Sequence, residues 1–261
     1  MPVSYSDILV SRLAKARRVA VLTGAGVSAE SGIATFRDPG GIWARFKPEE
    51  LANVEAFLGN PDLVQSWYAE RRRIAAEARP NPGHEALAKL ESLITEFTLV
   101  TQNVDGLHAR AGSENIIELH GNITRSYCID CKLPFTEMDA SAGKESAEED
   151  QKRPLTCTSC NGLIRPDVVW FGEMLPEHAI EKAFQAARRA NVVLSIGTSA
   201  VVYPAADVPL VARDNGAYVA EINIETSAIG HLLNETVLGS SGTVLPALVE
   251  SVMAEKRMIA E

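Results

Sequence analysis

No apolar run in this 261-residue chain approaches the length of a membrane span, and no spanning helix is expected. Residues Met1 to Asp7 hold no basic stretch leading into an apolar one, so no secretory leader is expected and the expected location is the cytoplasm. Positive charge is also short. Lys and Arg number 25 against 34 Asp and Glu, for a formal net charge of −9. That balance argues against direct binding to nucleic acid or to an anionic membrane, both of which need basic surfaces. Cysteine is scarce, with 4 in the chain, and a reducing compartment disfavours disulfides as their use. No internal repeat is evident. A strict G-x-G-x-x-G is missing as well, because Ala29 holds the third glycine place.

What is present is enough for a sizeable core. The hydrophobic fraction is 46%, and the length suits one large domain or one domain with a smaller insertion. Val19 to Leu22 form an unbroken apolar run, the pattern of a strand covered on both faces. Gly24 and Gly26 follow, and a helix opening there would aim free N–H groups at a pyrophosphate. Alone, that turn is equally well a plain tight turn.

Further along, helices are predicted over 5–17, 48–78 with a break near Gly59-Asn60-Pro61, 84–93, 177–190 and 244–258. Buried strands are predicted over 97–101, within 116–127 around Ile116 to Leu119, over 191–199 and over 218–225, with an extended segment at 168–171. A long loop is predicted at 33–43, and a polar mobile tract from Asp139 to Arg153. Strands alternating with helices predict an α/β fold on a parallel sheet, whose ligand sits at the carboxyl ends of the strands. Those ends carry Thr23 to Gly26, Thr101 to Asp105, Gly197 to Ser199 and Asn223 to Glu225.

Cys128-x-x-Cys131 and Cys157-x-x-Cys160 use every cysteine in the chain. The spacing points to one closed tetrahedral zinc site of structural type, with two redox pairs as the alternative. His120 follows an apolar segment and either takes a proton near neutral pH or is a satisfied structural histidine. Asn103 and Asp105 suit a ribose or an amide, or simply a turn. Glu225 suits ribose hydroxyls, or is a solvated strand end. Tyr68 and Arg71, at i and i+3, share a helix face that either holds a carboxylate or is merely a solvated basic face.

Together these residues resemble the sirtuins, the NAD-dependent protein lysine deacylases. The resemblance runs through Gly24 to Ile33, Thr35-Phe36-Arg37, Thr101 to Asp105, Leu119-His120-Gly121, both cysteine pairs, Val169 to Glu173 and Gly197-Thr198-Ser199, in the family's order. Tyr68-x-x-Arg71 and Gly40-Gly41-Ile42-Trp43 further resemble the class III branch. The resemblance implies a Rossmann-type domain from 1–43, 81–125 and 164–261, a helical insert at 44–80 and a zinc-binding module at 126–163. It implies one structural Zn2+ on the four cysteines and NAD as co-substrate. Gly24, Ala25, Gly26, Ser28, Phe36, Arg37, Trp43, Gln102, Asn103 and Asp105 would line the pyrophosphate, ribose and nicotinamide. Gly197, Thr198, Ser199, Asn223, Glu225 and Ser241 would hold the adenosine half. Val169, Phe171, Gly172 and Glu173 would pair with the substrate backbone as an added strand.

The implied reaction moves the acyl group of a protein lysine to ADP-ribose and releases nicotinamide, with His120 as general base and Asn103 beside it. Tyr68 and Arg71 would favour succinyl, malonyl or glutaryl lysine, with deacetylation retained. Ala34 departs from the family's usual proline and Pro39 from the alanine often found in the class III branch. The alternatives are mono-ADP-ribosyl transfer to a protein nucleophile, and a catalytically silent NAD-sensing protein.

Overall fold

A computed structural model of the chain describes residues 4–34, 48–136 and 154–260. Phe36, Arg37, Trp43, Pro39 and the tract from Asp139 to Arg153 lie outside the described residues. Among the described residues, no helix is long and apolar enough to cross a membrane.

Among the described residues, six parallel strands form the main sheet. In chain order they are β1 (Arg18–Thr23), β2 (Glu96–Thr101), β3 (Ile116–Glu118), β7 (Val192–Ile196), β8 (Tyr218–Asn223) and β9 (Glu235–Leu238). Their spatial order is β3-β2-β1-β7-β8-β9, every pairing parallel. This is the doubly wound order that reverses direction between its first and fourth strands. The apolar run in β1 is explained by strand alternation. Val19 and Val21 enter a core with helices α1 (Asp7–Lys15), α6 (Pro82–Leu93) and α10 (Ser241–Ala260), while Ala20 and Leu22 enter one with α8 (Glu177–Arg189) and α9 (Asp207–Asp214).

Among the described residues, a second, antiparallel sheet holds β4 (Gly121–Cys128), β5 (Pro134–Phe135) and β6 (Ile164–Val168). Its ladder runs from Gly121 against Val168 to Cys128 against Ile164. It therefore extends past the predicted module limits of 126 and 163 at both ends. The described part of the helical insert holds α3 (Pro48–Leu51), α4 (Val54–Gly59) and α5 (Pro61–Glu77). Asn53 and Asn60 cap the last two with their side chains, and Pro61 opens α5, where its missing N–H costs nothing. Phe57, Trp67, Tyr68, Ile123 and Trp170 form the core shared by the insert and the second sheet.

Candidate active site

The site lies where the sheet reverses direction. Gly26 donates its N–H to the Gly197 carbonyl at 2.8 Å, and Gly24 donates to Ile196 at 3.0 Å. A Cβ on Gly26 would stand 2.8 Å from both Cα and O of Gly197. Gly197 has φ +58, and a Cβ there would stand 2.5 Å from the Val27 nitrogen. These glycines are required first by the contact between two backbone turns. The helix after them, α2 (Gly26–Ala29), has only 4 residues. The donors of its opening are partly spent, since Gly26 binds Gly197 and Val27 binds Gly24 at 3.1 Å. A long phosphate-binding helix is therefore absent at this turn. Ser31 and Gly32 (φ +81) end it, and their N–H groups bind Ser28 and Ala29.

Below the turn lies a buried polar chain. Asn103 donates from Nδ2 to Gly24 O at 3.0 Å and to Ser28 Oγ at 3.1 Å. Ser28 Oγ in turn donates to Asp105 Oδ2 at 2.7 Å, and Asp105 Oδ1 accepts from Leu107 N–H at 2.9 Å. With both amide protons of Asn103 committed, its Oδ1 is the group it can offer to a ligand. Thr23 Oγ1 donates to Thr101 Oγ1 at 2.8 Å and lies 3.0 Å from His108 Nε2. Gln102 donates to Thr198 Oγ1 at 3.0 Å, and Asn223 donates to Thr198 O at 3.0 Å. The structure thus brings Gly24, Gly26, Ser28, Gln102, Asn103, Asp105, Gly197, Thr198 and Asn223 together at one sheet edge. Ala25 caps α2 within the same turn, and Ser199 joins the edge through its carbonyl, which accepts from Ala228 N–H at 3.3 Å.

His120 stands just before β4. Its Nδ1 lies 2.9 Å from the carbonyl of Gln102. A carbonyl only accepts, so Nδ1 carries the proton and Nε2 keeps its lone pair. Burial holds this imidazole below its ordinary range, while the Gln102 carbonyl pulls the other way. Its neutral form therefore persists at physiological pH, as a base requires.

Other predicted residues fall differently. β8 ends at Asn223, so Glu225 lies beyond the strand in an exposed bend. Ser241 opens α10, where its Oγ and the Gly242 N–H face Glu30 at 3.3 and 3.0 Å. On the stretch from Val169 to Glu173, Val169 N–H binds His120 O at 2.9 Å and Phe171 N–H binds Ala52 O at 2.9 Å. Glu173 binds Trp170 through its own N–H, and its carboxylate accepts from Arg165 at 2.6 and 2.8 Å. Among the described residues, the N–H left over on this stretch is that of exposed Gly172.

Several site residues escaped the sequence reading. Glu30 ties the glycine turn to the start of α10, and Asn81 donates to Val27 O at 2.7 Å and Ser31 Oγ at 2.9 Å. His84 and His108 pack below the same turn, with ring centroids 4.7 Å apart and planes tilted by 52°. A capping asparagine ahead of Pro82-Gly83-His84 was the available signal for the first of these histidines.

On α5, Tyr68 accepts from Trp170 Nε1 at 2.8 Å, and burial pushes its phenol up to about 12. Arg71 lies over the Trp67 ring at 4.7 Å, and burial lowers its guanidinium to about 10. In the second sheet, Cys128 and Cys160 lie 3.5 Å apart, Cys131 and Cys157 3.7 Å, and all four sulfurs fall within 4.8 Å of one another. Four thiolates at about 2.3 Å from one ion stand about 3.8 Å apart, so the cluster suits a structural Zn2+ rather than disulfides near 2 Å.

The family model described as Sir2 family matches residues 24–204. NAD-dependent protein deacylase 2 of Pyrobaculum aerophilum is 49% identical over 245 residues, 94% of this chain and 95% of the relative. NAD-dependent protein deacylase 1 of Pseudomonas aeruginosa is 46% identical over 243 residues, 92% of this chain and 96% of the relative. A solved Sir2 homolog–NAD complex superposes with TM-score 0.88 at 41% identity, over 97% of this chain and 96% of that one. A Sir2–p53 peptide–NAD+ complex superposes with TM-score 0.83 at 31% identity, over 96% of this chain and 100% of that one. The parallel sheet reversing at a glycine crossing, the polar chain beneath it and the four-thiol lobe accord with these matches, and the chain belongs to the Sir2 family.

Proposed function

We propose that this chain is an NAD-dependent protein lysine deacylase that transfers the acyl group of a lysine to ADP-ribose and releases nicotinamide. The observation that carries this reading is the 2.9 Å approach of His120 Nδ1 to the Gln102 carbonyl, which assigns the proton to Nδ1 and leaves Nε2 as the base. NAD, when bound, supplies the ribose carbon from which nicotinamide departs and to which the acyl oxygen becomes attached. His120 Nε2 takes a proton from a ribose hydroxyl as that hydroxyl becomes a nucleophile, and its burial keeps it neutral beforehand. Asn103 offers Oδ1 to the ribose or nicotinamide, with its amide nitrogen anchored on Gly24 and Ser28. Asp105 holds Ser28 from below and so fixes Asn103. Thr198 and Asn223, linked to each other, line the adenosine side, with Glu225 and Ser241 further along. Phe36, Arg37 and Trp43 keep their expected nicotinamide roles in this reading. Gly172 and its neighbours receive the substrate backbone.

The acyl preference follows from α5. A neutral Tyr68 hydroxyl and a half-buried Arg71 cation together suit a carboxylate. We therefore assign succinyl or malonyl lysine as the favoured substrates, with acetyl lysine processed more slowly. The thiols favour a reducing compartment, the cytoplasm. The small lobe comprises the insert at 44–80 and the zinc-binding module, expected at 126–163, whose sheet reaches out to Gly121 and Val168.

The test is a panel of acetyl, succinyl, malonyl and crotonyl peptides incubated with NAD and read by mass spectrometry. The reading predicts free lysine, nicotinamide and acylated ADP-ribose in equal amounts, fastest from the succinyl and malonyl peptides. ADP-ribosylated peptide would favour mono-ADP-ribosyl transfer instead. No nicotinamide release from any peptide would contradict an enzyme of this class.

A further inference from the structure

Helix α5 is tied to the four-cysteine lobe by one face. Gln65, Tyr68 and Arg72 stand at i, i+3 and i+7 along it, so they project together. The Gln65 amide grips the lobe through both of its atoms. Its Nε2 donates to Leu155 O at 3.0 Å and to Ile164 O at 2.8 Å, and its Oε1 accepts from Leu155 N–H at 2.6 Å. Leu155 stands two residues before Cys157, and Ile164 is the ladder partner of Cys128. Further along α5, Arg72 donates to Ile123 O and to Ser126 Oγ, each at 2.9 Å, and Ser126 stands two residues before Cys128. Tyr68 sits between these two ties and Arg71 beside it.

The apolar packing around Phe57 and Trp170 cannot by itself fix the position of α5, because burial of apolar surface is not directional. Hydrogen bonds are directional, and those of Gln65 and Arg72 set both the height and the rotation of the helix against the lobe.

We propose that Gln65 and Arg72 are positioning residues for acyl selectivity, clasping α5 to the thiolate lobe so that Tyr68 and Arg71 meet the acyl carboxylate. This rests on the reading of Tyr68 and Arg71 given above. Metal on the four cysteines then stiffens the segments that Gln65 holds, and the lobe sets selectivity without touching substrate.

Gln65→Met keeps side-chain length and removes both donor and acceptor. In the zinc-loaded protein it is expected to lower kcat/KM for a succinyl peptide about tenfold, mainly through KM, while acetyl turnover stays within about twofold. Release of zinc to a chelator is expected to quicken several-fold in the same variant. Equal losses on the two peptides, or an unchanged ratio, would overturn the proposal. Arg72→Met breaks the other tie and answers the same question should Gln65→Met fail to fold. Arg71→Met is the reference. If it lowers both activities equally, the reading of Arg71 has failed. If it is selective and both clasp variants are not, the clasp alone has failed.

Discussion

At the carboxyl edge of the large sheet, Gly26 and Gly197 touch backbone to backbone, and the side chains below them are short and bonded to one another. Against the cysteine lobe, α5 is held by the long side chains of Gln65 and Arg72, beside a core of aromatic rings that includes Tyr68 and Trp170. The first region has no slack, since a single methyl group has nowhere to go. The second is held by four cysteine sulfurs within 4.8 Å of one another and by a few directional bonds. A cofactor common to a whole family suits the first construction. In the reading proposed above, the acyl group meets the second, where the position of one helix would set what is accepted.

The contrast can be broken most severely by taking metal from the lobe. Structural zinc contributes on the order of 10 kcal/mol or more to small metal modules. Chelation, or Cys157→Ser, is expected to abolish peptide deacylation and to melt the second sheet. The large sheet, with its two separate cores, is expected to keep its helical signal. Circular dichroism beside a zinc assay decides this, and a single unfolding transition indifferent to chelator would contradict it.

Paired glycine substitutions sharpen the comparison next. Gly197→Ala puts a Cβ against backbone at φ +58 and is expected to cost about 2–4 kcal/mol. Gly172→Ala, at φ +85 with nothing within 4 Å, should cost only about 1–2 kcal/mol of backbone strain. Equal shifts in thermal unfolding would remove close contact as the reason for Gly197.

Acid offers a smaller effect with a definite location. His84, His108 and His120 are all pushed down by burial, His108 to about 3, and all three lie at the sheet edge. A histidine with a folded pKa below its unfolded value near 6.5 takes up more protons when unfolded, so stability falls as pH drops below about 6.5. His108 alone should contribute a loss of about 1–2 kcal/mol between pH 6.5 and 5. Urea titrations at these pH values should show it, and His108→Gln should flatten the slope. An unchanged slope would place the acid sensitivity elsewhere.

Much of this arrangement was legible in the chain itself. The run from Val19 to Leu22 marked a strand covered on both sides, and the cysteine spacing marked one closed site. Elements without a periodic signature were missed. β4 begins directly after His120 at Gly121, and an irregular register between Asn122 and Ser126 breaks its alternation. β9 is a short edge strand, and α9 carries Pro209 in its first turn, where proline is tolerated but reads as a break. The partners of Glu30 and Gln65 lie too far along the chain for any local pattern to show. Glu30 meets Gly242 and Gln65 meets Leu155 only once the chain has folded.

His120 is assigned the chemistry at an edge proposed to bind NAD without it. His120→Ala should therefore be examined for NAD affinity by calorimetry and for acylated ADP-ribose by mass spectrometry in the same preparation. Affinity within about threefold of the parent and product formation down by about 10²–10⁴ are the expected results. Full product formation by the variant would contradict it.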